Sequence, residues 1–380
     1  MCYQWVLTGE RVGRRLRRTP AAVPVEDTFL DVVVMSSGSK GEQVSVIGAS
    51  YFGQGTVVTT GVCSTTECSC GSGSLELPVY FGGPAFAETR DEQASQLVFV
   101  CIHGGGMSAL SFAPMAKHLV AKGLSIVAMD LPAHGGATDG PLDMATLIGA
   151  AINSARRVLI DHNLLVPGSG ASESSCPAAG WDGSTPAAHL VLVGHSMGGA
   201  VATRIAADPQ LSAGLPAVGL TVLDVVEGTA LAAADGMGAL LAARPASFDS
   251  VDDAVAWHLA TGLMRNPDSA ATTVPPLVVD AGDGGEGVVW RTPLASSADQ
   301  WDSWYIGLSE LFLAVPHRKL LVLAATDRLD TQLMVGQMQG KFQLKIIPDV
   351  GHWLHEDDPA GVANTLHGFV HFFGWMPSEH

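Results

Sequence analysis

The sequence predicts an α/β protein, in which a mostly parallel β-sheet is covered by helices on both faces. Short, continuously apolar runs alternate along the chain with segments of helical periodicity. Continuous runs of this kind are typical of strands that are buried on both faces. The composition agrees, because 47% of the 380 residues are hydrophobic and only 15% are charged, which suits a large buried core.

The predicted sheet begins at a six-residue apolar run, Leu97–Ile102, which ends in the turn His103-Gly104-Gly105-Gly106. Further apolar runs predict strands at residues 124–131, 189–194, 218–226, 319–325 and 342–347. Helical periodicity predicts helices at residues 112–122, 144–162, 197–207 and 359–373. Ligands of such sheets bind beyond the carboxyl ends of the strands, so we expect the functional residues there.

Two regions depart from this alternation. Residues 1–75 are expected to form a poorly structured or divergent extension, because their last part is mostly Gly, Ser, Thr and Cys, and residues 76–380 are expected to form the α/β domain. Within that domain, residues 228–316 are interpreted as an inserted helical cap. The cap contains helical patterns at 230–243, 251–264 and 299–313, and loops are predicted at 166–188 and 280–288.

Charge and cysteine content exclude several classes of function. A formal net charge of -17 disfavours a nucleic-acid or anionic-membrane surface, since both need clustered Lys and Arg. No apolar run approaches the roughly 20 residues that span a bilayer. Residues 1–25 contain five Arg and one Glu, a composition found in transit peptides, but a plain extension is the favoured interpretation because a transit peptide must be amphipathic as well as basic. Six cysteines favour a reducing compartment, and Cys63, Cys68 and Cys70 lack the spacing of a zinc site.

The string Gly194-His195-Ser196-Met197-Gly198 lies between a predicted strand and a predicted helix. This is the nucleophile-elbow pattern of the α/β-hydrolases, in which a sharp turn lifts a serine Oγ out of the sheet. Glycines stand two residues before and two residues after the serine because larger side chains at those positions would collide with their neighbours. The pattern therefore predicts Ser196 as a nucleophile.

A serine nucleophile needs a histidine base and an acid that orients it, in the chain order Ser, acid, His. His352 follows the last predicted strand and is the expected base, with His355 as the weaker candidate. Two strand ends offer the acid, Asp224 on one and the pair Asp327 and Asp330 on the other. The general rules of the fold favour Asp327.

An oxyanion hole is expected from two backbone amides, one after the nucleophile and one in the glycine-rich turn. These are the N–H groups of Met197 and Gly105. Glycine at the second position lets the backbone approach a developing oxyanion. The alternative is that the turn has only a structural role.

Several strings together resemble one family, the protein phosphatase methylesterases. The most specific are Asp-Val-Val-Glu-Gly-Thr-Ala at 224–230 and Gly-Gln-Met-Gln-Gly-Lys-Phe-Gln at 336–343. The others are His103 to Gly106 with Ser108 to Ser111, Gly194 to Gly199, Arg265-Asn266, Trp301 to Trp304, Asp327 to Asp330, Gly351-His352 and His355 to Asp357. The resemblance covers about residues 97–373. Pro132, the 166–188 insertion and residues 1–75 depart from it.

The resemblance implies an α/β-hydrolase that demethylates the carboxyl-terminal leucine of the type 2A phosphatase catalytic subunit, without a cofactor or metal. It implies the triad Ser196, Asp224 and His352, so that Asp327 and Asp330 become structural or recognition residues. The implied partner is the methylated tail of that subunit, and the implied location is the cytoplasm, with access to the nucleus. The alternatives are a general carboxylesterase or lipase, or a non-catalytic phosphatase-binding scaffold.

Overall fold

The computed structural model describes residues 54–61, 74–87, 96–166, 185–186, 188–282 and 284–376, and it confirms the predicted α/β architecture. Its strands are β1 (Gln54–Gly61), β2 (Ser74–Gly82), β3 (Leu97–Ile102), β4 (Ser125–Met129), β5 (Leu165–Val166), β6 (Thr185–Pro186), β7 (His189–His195), β8 (Ala217–Leu223), β9 (Ser247–Phe248), β10 (Val278–Asp280), β11 (Val288–Trp290), β12 (Arg318–Leu323) and β13 (Gln343–Ile346). Its helices are α1 (Ala113–Ala121), α2 (Met144–Asp161), α3 (Met197–Ala207), α4 (Pro209–Gly214), α5 (Glu227–Ala242), α6 (Val251–Thr261), α7 (Pro267–Thr273), α8 (Trp301–Tyr305), α9 (Leu308–Ala314), α10 (Thr331–Met338), α11 (Leu354–Asp357) and α12 (Pro359–Phe372).

The main sheet has eight strands in the order β1-β2-β4-β3-β7-β8-β12-β13. Six of these strands, β3, β4, β7, β8, β12 and β13, are mutually parallel, whereas β1 and β2 are antiparallel to their neighbours. Because parallel strands end at the same edge, the loops after β3, β7, β8, β12 and β13 gather there. This edge carries the elbow serine, the candidate acids and the candidate histidine.

Strand β3 shows why the sheet is buried on both faces. All six of its residues are buried, and they alternate between two cores. Val98, Val100 and Ile102 join the core under α2 and α3, while Leu97 and Phe99 join the core under α1 and α12. A continuous apolar run is therefore the sequence pattern that this strand requires.

The N-terminal part of the sheet begins earlier than expected. β1 and β2 pair along their length, with Gln54 opposite Phe81, and β2 pairs with β4. Residues 54–61 and 74–75 therefore belong to the sheet, although the domain was expected to start at residue 76. Val57, Val58 and Thr59 are β-branched residues that favour extended backbone, but the surrounding small polar residues hide this signal.

Predicted strands and helices of the main domain lie within three residues of their expected bounds. The cap differs, because the helix expected at 299–313 is two helices, α8 and α9, separated at Gly307, where φ is 76°. The loop expected at 280–288 joins β10 to β11, and these two strands form a small sheet with β9. Strands of two or three residues are too short to leave a period in the sequence.

Most of the loop expected at 166–188 lies outside the described residues, as do Cys63, Cys68 and Cys70. The described ends of that loop, β5 and β6, pair antiparallel. No helix in the described ranges is long and apolar enough to cross a membrane.

Candidate active site

Ser196 occupies the sharp turn between β7 and α3. Its backbone has φ 51° and ψ -120°, a conformation that non-glycine residues rarely adopt, and its N–H donates to the carbonyl of Leu223 at 3.1 Å. The flanking glycines are required by space. A Cβ on Gly194 would lie 2.2 Å from the carbonyl oxygen of Gly198, and one on Gly198 would lie 2.1 Å from that of Ile102. The predicted elbow is therefore present at the expected strand end.

Asp224 follows β8 and is also held at a positive φ of 51°. Its N–H donates to the carbonyl of Val322 at 2.8 Å, and its Oδ1 accepts the N–H of Ala324 at 2.9 Å. Its Oδ2 accepts the Nδ1–H of His352 at 2.7 Å. The side chain of Asp224 is fully buried, whereas that of His352 is 31% exposed, so the pair joins the interior to the surface of the site.

The charge of Asp224 is set by opposing effects. Burial raises the pKa of this carboxyl, but the hydrogen bond and charge of His352, the guanidinium of Arg328 and the amide of Ala324 lower it further than burial raises it. The net result is a pKa below the ordinary value, so Asp224 is an ionised carboxylate at neutral pH.

His352 lies on the loop between β13 and α11, and backbone contacts fix that loop. The carbonyl oxygen of His352 accepts a hydrogen bond from His195 Nε2 at 2.9 Å. The N–H of Gly351 donates to Asp357 Oδ2 at 2.7 Å, and the other oxygen of Asp357 accepts the N–H of Arg265 at 2.7 Å. Within the described residues, Ser196 Oγ and His352 Nε2 have no hydrogen-bond partner. Catalytic hydrogen bonds are often long or absent in structures without substrate.

The competing candidates are placed elsewhere. His355 is fully buried, with its ring centroid 4.6 Å from that of His195, and burial lowers its pKa. Asp330 caps helix α10 by accepting the N–H of Leu333 at 2.9 Å, and it also accepts a hydrogen bond from Ser309 Oγ. Asp327 is exposed. Among the described carboxylates, Asp224 is the one hydrogen-bonded to His352.

The glycine-rich loop after β3 lies beside the elbow, since a Cβ on Gly104 would be 3.2 Å from the Cβ of Ser196. The backbone amides of Gly105 and Met197 donate to no backbone acceptor in the described part of the chain. The amide of Gly106 is occupied, because it donates to His134 Nε2 at 2.9 Å. A Cβ on Gly105 would lie 3.7 Å from the Sδ of Met197, so the glycine-rich loop is adjacent to the first residue of α3, and the role of the two amides as an oxyanion hole stays a prediction.

Two buried histidines hold that loop, and each uses a single tautomer. His103 donates from Nδ1 to the carbonyl of Gly104 at 2.8 Å and accepts the N–H of Leu131 at Nε2. His134 donates from Nδ1 to the carbonyl of Pro132 at 2.8 Å, which leaves Nε2 to accept the N–H of Gly106. Sequence reasoning missed His134. The signal was its place in the string 130–135, at the end of the neighbouring strand β4.

The cap contacts these loops directly. Leu294 covers the glycine-rich loop, because a Cβ on Gly106 would lie 2.7 Å from its Cδ1. Arg291 Nε donates to the carbonyl of Gly135 at 3.1 Å, and Thr292 Oγ1 donates to the carbonyl of Ala133 at 2.9 Å. Both acceptors lie in the loop after β4. Residues 291–294 therefore join the cap to both loops beside the elbow.

Buried histidines make the stability of this fold dependent on pH. Burial lowers the pKa of His134 to about 4, and burial with the nearby His352 lowers that of His195 to about 3, both from 6.5. Below pH 6.5 these two histidines bind protons in the unfolded chain but stay neutral in the folded protein. The stabilisation that they contribute above pH 6.5 is therefore lost as the pH falls. Asp130 opposes this, because burial raises its pKa from 3.8 to about 6 and the folded chain retains its proton longer.

From His134, His195 and Asp130 alone we expect the free energy of unfolding to be about 2–3 kcal/mol lower at pH 5 than at pH 7, at roughly 1.4 kcal/mol per pKa unit for each group. Burial also lowers the pKa values of His103 and His355, which act in the same direction. Urea unfolding at the two pH values measures this difference. As a control, His134→Asn keeps an oxygen that can accept the Gly106 N–H, and it should show a smaller difference than the wild type. Equal free energies at pH 5 and pH 7 would contradict the neutral state assigned to His134 and His195.

The fold and the site together define an α/β hydrolase, with a serine elbow, a histidine–carboxylate pair and a glycine-rich loop at one edge of the sheet. Comparison with known proteins agrees. The profile of the alpha/beta hydrolase family matches residues 99–365. Protein phosphatase methylesterase 1 of Cryptococcus neoformans is 39% identical over 306 residues, covering 76% of this chain and 68% of that protein. Protein phosphatase methylesterase 1 of Schizosaccharomyces pombe is 38% identical over 289 residues, covering 73% of this chain and 76% of that protein.

The chain therefore belongs to the α/β hydrolase family and, within it, to the protein phosphatase methylesterases, and it is a carboxylic ester hydrolase. Solved structures agree on the fold. The peroxisomal α/β-hydrolase Lpx1 of Saccharomyces cerevisiae has a TM-score of 0.60 at 15% identity, covering 86% of this chain and 91% of that one. E-2-(acetamidomethylene)succinate hydrolase has a TM-score of 0.57 at 16% identity, covering 83% of this chain and 100% of that one.

Proposed function

We propose that this protein hydrolyses the methyl ester on the carboxyl-terminal leucine of the type 2A protein phosphatase catalytic subunit and releases methanol. The observation that carries the chemistry is the 2.7 Å hydrogen bond between His352 Nδ1 and the buried carboxylate of Asp224, at the strand edge that holds Ser196. The names of the curated relatives support the substrate, since each is a protein phosphatase methylesterase.

The first half of the proposed reaction forms an acyl-enzyme. His352 Nε2 takes the proton of Ser196 as Oγ bonds to the ester carbonyl carbon, and Asp224 stabilises the resulting imidazolium. The carbonyl oxygen becomes an oxyanion, which accepts hydrogen bonds from the amides of Gly105 and Met197. Collapse of this intermediate breaks the bond to the methoxy group, and His352 returns the proton to the leaving oxygen, so methanol departs.

The second half restores the enzyme. His352 takes a proton from water as the water oxygen attacks the acyl-enzyme carbonyl, and the same two amides hold the second oxyanion. The bond to Ser196 Oγ then breaks, the serine regains its proton, and the free leucine carboxylate leaves. Each oxyanion donor typically contributes about 3–4 kcal/mol to transition-state stabilisation.

The cap is the proposed docking element for the phosphatase. Residues 291–294 contact both loops beside the elbow, so a partner bound to the cap would be placed next to Ser196. The apolar Leu294 covers the loop that contains Gly105, and it would face the acyl portion of a bound ester. A peptide tail could thus reach the elbow from the side of the cap.

Methanol release from the methylated catalytic subunit tests this function. We expect release in proportion to the methyl ester present, and none from the unmethylated subunit. Hydrolysis of p-nitrophenyl acetate by the same preparation distinguishes the general esterase. Rapid turnover of the small ester with no methanol from the phosphatase would contradict the proposed substrate. Failure of Ser196 to react with a fluorophosphonate probe, with phosphatase binding intact, would favour the non-catalytic scaffold.

A further inference from the structure

Arg328 donates to the carboxylate that the proposed mechanism uses. Its Nη1 binds Asp224 Oδ2, the same oxygen that accepts the Nδ1–H of His352. The Arg328 side chain is only 17% exposed and that of Asp224 is fully buried, so this ion pair lies inside the protein. None of the proposed catalytic steps of Ser196, His352 and Asp224 involves Arg328.

Arg328 lies after β12, where this fold was expected to supply the acid. It is the last residue of the 3-10 turn Thr326–Arg328. Here the neighbouring Asp327 is exposed, whereas Arg328 binds Asp224, the acid that follows β8. The strand end after β12 therefore supplies a cationic partner for the acid.

Three donors fix the orientation of this carboxylate. Oδ1 accepts the amide of Ala324 at 2.9 Å, and Oδ2 accepts both His352 and Arg328. A buried carboxylate that loses one of its charged partners has one restraint fewer on its rotation and carries an uncompensated desolvation cost. Arg328 therefore restricts the rotation that would take Oδ2 away from His352.

Arg328 also changes the charge that His352 experiences. Its guanidinium offsets part of the negative charge of Asp224, and that charge is what stabilises the imidazolium form of His352. The other groups that face His352 are His195 and His355, both buried with lowered pKa values, while Arg265 and Asp357 bind its loop. Removing the cation should therefore favour the imidazolium and protonate the base at a higher pH.

We propose that Arg328 is a positioning residue, which holds the Asp224 carboxylate toward His352 and offsets part of its negative charge. This inference rests on the proposed roles of Asp224 and His352. It goes beyond them by assigning a function to a cation outside the Ser, His and Asp set.

The test compares two substitutions that separate charge from hydrogen bonding. Arg328→Gln retains a donor without the charge, and Arg328→Lys retains the charge with a different donor. For each, kcat and KM for p-nitrophenyl acetate are measured across pH 5–9, together with thermal unfolding. Arg157→Met is the matched control, because Arg157 forms an exposed ion pair with Asp161 on α2.

For Arg328→Gln we expect the acid limb of the kcat/KM profile to move to higher pH by about 0.5–1 pH unit, and kcat at pH 7 to fall about 10-fold, with KM nearly unchanged. Arg328→Lys should keep the acid limb of the wild type. The inference is overturned if both variants keep the wild-type profile and kcat, or if Arg328→Gln lowers only the unfolding temperature.

Because stability falls as the pH falls, thermal unfolding of each variant is measured at every assay pH, and only pH values at which the variant is folded enter the kcat/KM profile. Should Arg328→Gln fail to fold, Arg328→Met and Arg328→His supply uncharged and titratable replacements with the same expected direction of shift. Ser196→Ala, assayed in parallel, separates the two proposals. Activity retained by Ser196→Ala would refute the proposed function, whereas its loss with an unchanged Arg328 series would refute only the role of Arg328.

Discussion

Ser196→Ala is expected to abolish ester hydrolysis, lowering kcat by about 10⁴- to 10⁶-fold for both the methylated phosphatase and p-nitrophenyl acetate. The reason is that Ser196 Oγ is the only proposed atom that bonds to the carbonyl carbon. Residual turnover would come from water attack assisted by the amides of Gly105 and Met197. Methanol release and p-nitrophenolate release measure the two substrates.

The substitution should leave the fold intact. Ala at position 196 has to adopt the same backbone, with φ near 51°, and it removes only the hydroxyl, which has no hydrogen-bond partner among the described residues. We therefore expect an unfolding temperature close to that of the wild type and unchanged binding to the methylated subunit. Ser212→Ala, on helix α4, is the matched control. Substantial turnover by Ser196→Ala would exclude Ser196 as the nucleophile.

Asp224→Asn is expected to lower kcat by about 10⁴-fold, whereas Asp327→Asn should remain within about twofold of the wild type. An amide at position 224 can present its N–H₂ to His352 Nδ1, which favours the tautomer whose Nε2 carries the proton and cannot act as a base. Asp327 is exposed, so its substitution leaves the site unchanged. Steady-state kinetics on p-nitrophenyl acetate measure both variants.

Loss of the Asp224 charge also removes a buried ion pair with Arg328, so Asp224→Asn should be less stable than the wild type. Thermal unfolding checks that the assay temperature lies below the transition. A normal rate for Asp224→Asn, with a low rate for Asp327→Asn, would transfer the acid to the end of β12 and refute the pairing proposed here.

Much of the architecture was predictable because it follows from local patterns. The run Leu97–Ile102 is buried along its whole length, and its alternate residues enter two cores, so a continuously apolar strand was the expected pattern. The elbow was predictable for a steric reason, since the glycines at 194 and 198 leave no room for a Cβ. Both features depend on residues that are close in sequence or on one strand.

Other features could not be predicted from local patterns. The three-stranded sheet β9–β11 of the cap consists of strands of two or three residues, which are too short to show a period. His134 was missed because its role is defined by one hydrogen bond to Gly106, which is 28 residues away. Both the pairing of these short strands and the hydrogen bond of His134 form only in the folded chain, so neither leaves a pattern in the sequence.

The sequence by itself determined the six parallel strands of the main sheet and the serine at a strand-to-helix turn, and it left two strand ends for the acid, between which only the family resemblance chose Asp224. The contact itself is a property of the tertiary structure, because Asp224 and His352 are 128 residues apart and Arg328 lies 104 residues from Asp224. The physical reason is the order of the strands. β8, β12 and β13 are neighbours whose ends meet at one edge, and the backbone of Asp224, bonded to Val322, aims its carboxylate at the loop of His352.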